Sequence, residues 1–229
     1  EFGACAERHA IEEVNFTFDG HTIARHRGVR VLNHEELQAG DVSLEYVSRL
    51  MHRRYTDSPL IRKVLQTLWY QVNNGQEIYV VGVIQKDDTV RGGTGWGAEF
   101  AKLCNKPLVV FDQEKSGWFE WSGETWKSRA DTPIITHPHF TGTGTRHIQD
   151  NARRAIEDLM TKSFETGAAA PRRRSGPHGK PLVVARARDG SGQRPPAGRH
   201  AEPAAARRER FDQPQDGVAL AQGVRDPSR

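Results

Sequence analysis

Two apolar runs leave this chain few ways to fold. The stretches "EIYVVGVI" (77–84) and "PLVVFD" (107–112) are almost wholly apolar, with none of the in–out alternation of a strand that has one wet face. Runs of this length and composition belong to strands buried on both sides, which are typical of parallel sheets covered by helices. Between them lie a glycine-rich turn, "VRGGTGWGAE", and a short helical pattern ending at Leu103. Strand, crossover helix and strand make a right-handed parallel unit. The sequence therefore predicts an α/β fold with a mostly parallel sheet flanked by helices.

Other segments fit that frame. A strand is predicted over Val14–Phe18, with Asp19-Gly20 in the following turn. In "GDVSLEYVSRLMHRRY" a helix starts at Val42 or Ser43 and sets Leu44, Val47, Leu50 and Met51 on one face. Ser58-Pro59 opens a second helix, with Ile61, Val64, Leu65, Leu68 and Val72 at helical spacing and Asn74-Gly75 at its end. "WFEWSGETWKS" alternates around Ser122-Gly123 as a small β-hairpin, in which Trp118, Trp121 and Trp126 pack across the strands. A last helix turns Ile148, Ala152, Ala155, Ile156 and Leu159 inward. Because "EFGACAERHA" reads as the second half of a helix, a strand and turn are predicted ahead of Glu1.

Charge divides the chain at about residue 165. From Thr166 to Arg229 there are 13 Lys and Arg against 6 Asp and Glu, whereas residues 1–165 hold 20 against 23. The basic segment also contains 8 of the 12 prolines and a single aromatic residue, Phe211. Such a composition buries too little apolar surface to offset its ordering entropy, so 166–229 is predicted as a disordered tail behind a 1–165 domain. The tail could meet nucleic acid; the weakly acidic domain lacks the basic groove such a partner needs.

No apolar run approaches the roughly 20 residues of a membrane span, and the first residues lack the order of a signal peptide, so a cytoplasmic protein without a membrane partner is expected. Cys5 and Cys104 have no metal-ligand or disulfide spacing. His137 and His139 in "THPHF" have no third ligand nearby, and no cofactor signature is present, so neither a metal nor a cofactor is assigned.

The turn at 91–95 follows a strand where parallel sheets bind ligands, beyond the carboxyl ends of the strands. Glycines allow a ligand to approach the backbone, and the free N–H groups of a helix's first turn attract an anion. Phosphate is the natural occupant of Gly92, Gly93, Thr94 and Gly95. A second segment, Thr143, Gly144, Thr145 and Arg146 in "TGTGTRHIQDN", reads as another turn of hydroxyls, amides and a guanidinium suited to an oxyanion. Asp112, closing its strand, points toward the same crevice.

Residues 91–99, "RGGTGWGAE", resemble the PGGxGTxxE motif of the LOG-type phosphoribohydrolases, once labelled lysine decarboxylase-like, within the Rossmann-like DprA/LOG (SLOG) superfamily. Gly92, Gly93, Gly95 and Glu99 match; Arg91 and Trp96 replace the proline and the threonine. The resemblance implies a Rossmann-like fold, a nucleotide or phosphoribosyl ligand, a catalytic role for Glu99, a ligand contact from Arg62 in the Arg62-Lys63 pair, and a homodimer. Three functions follow from it. One is hydrolysis of the N-glycosidic bond of a nucleoside 5′-monophosphate, with Glu99 as acid or base. The others are sensing of a nucleotide signal without catalysis and DprA-like binding of single-stranded DNA.

Overall fold

The run at 77–84 becomes the strand that organises the molecule. The computed structural model describes residues 1–165 and the backbone of 182–183. Strand β4 (Glu77–Gly82) pairs in parallel with β5 (Leu108–Asp112) on one side and with β8 (Phe140–Gly144) on the other. Beyond β5 the chain turns back through β6 (Gly117–Trp121) and β7 (Trp126–Arg129), giving the order β7-β6-β5-β4-β8. The pairs β5–β6 and β6–β7 are antiparallel. The sheet is thus mixed, not mostly parallel. The cause is local: the connection from Asp112 to Gly117 is too short for a crossover, and a short connection admits only an antiparallel neighbour. The predicted hairpin is present with Trp121 opposite Trp126, but it extends the main sheet.

Both faces of β4 and β5 are buried, as their composition requires. Ile78, Val80, Leu108 and Val110 face a layer formed by α3 (Asp41–Leu50), α4 (Pro59–Asn74) and α5 (Thr94–Leu103). Tyr79, Val81, Val109 and Phe111 face α1 (Phe2–Arg8) and α6 (Asp150–Phe164). Ala152, Ile156, Leu159 and Met160 of α6 are fully buried there, each of the large ones worth about 1.5–3 kcal/mol over an exposed position. Two helical positions depart from the expected inner faces. Leu50 and Ile61 are exposed, while Ser48 of α3 and Gln66 and Thr67 of α4 are buried.

A second parallel pair, β2 (Asn15–Phe18) with β3 (Val29–Leu32), packs on α4 through Phe16, Phe18 and Leu32. Helix α2 (His34–Gln38) follows, closed by a capping box in which the Asn33 side chain and Glu36 exchange hydrogen bonds with each other's backbone. Strand β1 (Glu12–Glu13) pairs in parallel with β9 (Leu182–Val183). Apart from β9, the tail expected over 166–229 lies outside the described residues. Among the described residues no helix is long and apolar enough to cross a membrane.

Candidate functional site

Strands β4, β5 and β8 run in parallel, so the segments leaving them emerge at one end of the sheet. From β4 the chain passes to α5 on one face; from β8 it passes to α6 on the other. A crevice forms where neighbouring strands send their connections to opposite faces, the usual place for a ligand in an α/β sheet. The structure therefore brings Gly92–Gly95 and the Thr143–Arg146 segment to the same end.

The path from β4 to α5 is closely specified. Ile84 and Val90 form an antiparallel bridge, and the Arg91 N–H donates to the Val83 carbonyl at 2.9 Å. Gly92 then takes φ +74°, the left-handed region, and Gly93 returns to φ −62°, ψ −35° as the N-cap of α5 with no side chain to cap it. The N–H groups of Gly95 and Trp96 fold back on the carbonyls of Gly92 and Gly93. Those of Gly92, Gly93 and Thr94 donate to none of the described residues. The three glycines serve different ends. A Cβ on Gly95 would stand 2.0 Å from the Val90 carbonyl oxygen, whereas one on Gly93 would meet nothing within 4 Å.

Arg53, which nothing in the sequence singles out, holds this loop. Its guanidinium donates to the carbonyls of Val90 (3.2 Å) and Gly92 (3.3 Å), to the side-chain oxygen of Gln85 (2.7 Å) and to the Thr89 hydroxyl (2.7 Å). By drawing the Gly92 carbonyl toward itself, Arg53 turns the Gly93 N–H the opposite way, because the peptide unit is planar and trans. The chain delivers Arg53 through a Schellman closure of α3: His52 (φ 51°) donates to the Arg49 carbonyl, and the Arg53 N–H to the Ser48 carbonyl. A histidine where glycine is usual hides that helix stop from sequence reading. Replacing Arg53 by Met should cost about 1–3 kcal/mol by removing its four hydrogen bonds to the loop. It should also speed hydrogen exchange at the Arg91 amide, and unchanged protection there would show that Arg53 does not hold the loop.

The segment read as a second glycine-rich turn is mostly strand. Thr143 and Gly144 belong to β8, opposite Val80 and Val81, and only Thr145 and Arg146 lie beyond it. The Thr145 N–H still donates to the Val81 carbonyl, and its hydroxyl accepts from the His147 N–H. β-branched threonines at alternate positions suit a pleated strand, and pairing with β4 outweighs the turn preference of the intervening glycines. Arg146 is exposed, with neither a hydrogen bond nor an ion pair to a described residue. On their outer side, Thr141–Gly144 border a separate cavity of about 280 Å³ shared with Phe2, Asn15 and Arg25.

Asp112 ends β5, on the side of β4 away from β8, and its buried carboxylate is committed to the protein. It accepts from the backbone N–H groups of Ile84, Glu114 and Lys115, tying the ends of β4 and β5 together. Gln113 joins them to α6: its side-chain oxygen accepts from the Gln149 N–H at 2.8 Å.

Two expected residues lie elsewhere. Arg62 pairs with Asp41 at 2.9 Å, its guanidinium 4.3 Å above the Tyr55 ring. Burial opposes ionisation of Asp41, yet hydrogen bonds from Arg62, Gln66 and Tyr55 outweigh it and hold the carboxyl below its usual range. Tyr55 in turn packs on Trp96 at 5.4 Å, so two aromatic rings stand between Arg62 and the glycine loop. Trp96, at the position where the motif has threonine, is core. Glu99, in the second turn of α5, forms an ion pair with Lys102 at 3.1 Å, both side chains largely buried. Lys102 donates to the Asp88 carbonyl and lies 3.9 Å from the Trp121 ring centre, which fixes the pair beneath the hairpin.

Among the described residues no group of three or more His, Cys, Asp or Glu is placed to hold a metal ion. The His139 N–H donates to Nδ1 of His137, which accounts for that pair. No protein-family model matches the sequence, and no match is found among curated proteins or solved structures.

Proposed function

We propose that the crevice at the carboxyl ends of β4 and β8 binds the phosphate of a nucleotide or phosphoribosyl ligand. The observation that supports this most is the row of three backbone N–H groups, Gly92, Gly93 and Thr94, without an acceptor among the described residues at the start of α5. Successive residues with φ of opposite sign turn their N–H groups toward one concavity, a nest for an anion, and the helix dipole adds to it. Open space over Gly93 leaves room for a phosphate oxygen at the backbone. Arg146 supplies a guanidinium at the same end of the sheet, suited to a second oxygen.

The resemblance to phosphoribohydrolases extends this reading to cleavage of the N-glycosidic bond, with Glu99 as acid or base. The Glu99–Lys102 pair favours a second reading, a nucleotide sensor without turnover, because the Glu99 side chain is largely buried and engaged within the protein instead of open to a ligand. Titration with AMP, together with an assay for free base and ribose 5-phosphate, separates the two. A hydrolase should release both, and Glu99→Gln should slow it on the order of a hundredfold or more while binding persists. Binding without release leaves the sensor; absence of nucleotide binding sinks both readings.

A further inference from the structure

Strand β8 stands at one edge of the five-stranded sheet, with β4 as its one hydrogen-bonded neighbour among the described residues. In a parallel ladder alternate residues bond to a given neighbour. The Thr145 N–H donates to the Val81 carbonyl, which fixes the phase: the N–H and C=O groups of Phe140, Gly142 and Gly144 point away from β4, and no described residue bonds to them. Strand β2 is open in the same way on the side away from β3. The Asn15 N–H donates to the Gly28 carbonyl just ahead of β3, so the backbone groups of Phe16 face the other way, again without a described partner. These two open edges are opposite walls of the cavity of about 280 Å³, which is lined by Val14, Asn15 and Phe16 on one side and Thr141–Gly144 on the other. Facing rows of unpaired backbone groups are a template for an added strand.

We infer that this cavity is a strand slot filled by residues 182–186 of the chain, which join the two sheets into one. Leu182–Val183, strand β9, pairs in parallel with Glu12–Glu13 and lies beside β8, at the mouth of the slot. Continuing the same register sets Val184 beside Val14, Ala185 beside Asn15 and Arg186 beside Phe16, the three residues that line the cavity on the β2 side. Composition selects the same segment. Leu182, Val183 and Val184 are three of the six Val, Leu and Ile residues between 166 and 229, and aliphatic β-branched residues suit a strand covered on both sides. The segment after residue 165, otherwise too polar to order itself, is thereby fastened to the strand that carries Thr143–Arg146 to the crevice.

Amide hydrogen exchange of the full chain, resolved by NMR, tests this. Gly142 and Gly144 should exchange slowly in the parent, and equally slowly at every protein concentration. Val184→Pro removes an N–H and the extended freedom of φ from the middle of the segment, and should speed exchange at both glycines on the order of tenfold or more. Val80 and Val110, in the central strands, should keep their protection in that variant. Val218→Pro, in the same basic segment but outside 182–186, should change neither glycine. Fast exchange at Gly142 and Gly144 in the parent, protection that survives Val184→Pro, protection lost equally with Val218→Pro, or protection that grows with concentration and so comes from a second copy would each overturn the inference.

Discussion

Gly95→Ala should lower the melting temperature sharply. The added Cβ would lie 2.0 Å from the Val90 carbonyl oxygen and 2.9 Å from Nη1 of Arg53. Neither obstacle can step aside. The carbonyl is backbone, held by the Arg53 guanidinium, and that guanidinium is fixed by three other acceptors. Relief must come from moving the first turn of α5, which carries the buried Trp96 and Ala98 into the core. Overpacking of this kind costs on the order of 3 kcal/mol. For a domain of this size that is a drop of roughly 6–12 °C, readable by calorimetry. A melting temperature within a degree or two of the parent would mean that the loop and helix are not packed as described.

Gly93→Val, two residues away, should do the opposite: spare the fold and remove the ligand. The backbone there is already right-handed, and nothing lies within 4 Å of an added Cβ, so neither strain nor a clash follows. As the N-cap of α5, glycine has no side-chain hydrogen bond to lose, and the stability change should stay within about 1 kcal/mol. The isopropyl group would fill the space over the Gly92–Thr94 amides. AMP affinity by calorimetry should fall at least tenfold while the melting curve is kept. If the parent binds AMP and the variant binds it equally well, these amides are not the phosphate site. The two substitutions together assign the glycines of one motif to two causes, a steric one at Gly95 and a ligand's approach at Gly93.

Much of this arrangement is written in local pattern. Apolar runs without alternation specify β4 and β5 as strands buried on both faces, and the helical spacing of Leu65, Leu68 and Val72 specifies the inner face of α4. The glycines between strand and helix place the loop at the carboxyl end of β4. The strand-like pattern on either side of Ser122-Gly123 specifies the hairpin, with Trp121 and Trp126 in contact across it. Each of these features is decided by residues close together in the chain, because the strand period, the helix period and turn geometry are local properties.

What the sequence could not express is set by partners far apart in it. Whether Thr141–Gly144 is a turn or a strand depends on the edge of β4, more than sixty residues earlier, which supplies the hydrogen bonds that make it a strand. Arg53 is an unremarkable surface type until the fold brings Gln85, Thr89 and two carbonyls around its five donors. Arg62 is paired with Asp41 across helices, and the Glu99–Lys102 pair, though local to α5, is buried beneath a hairpin whose position only sheet pairing decides. Leu50 and Ile61 continue the helical pattern of their inner faces yet point outward, because the width of a buried face depends on the neighbour that covers it. Periodicity by itself determined which segments became strands and helices and where the glycine loop would stand; the tertiary structure decided which side chains that loop would have for company, since a hydrogen bond or an ion pair exists only where the fold brings both partners within reach.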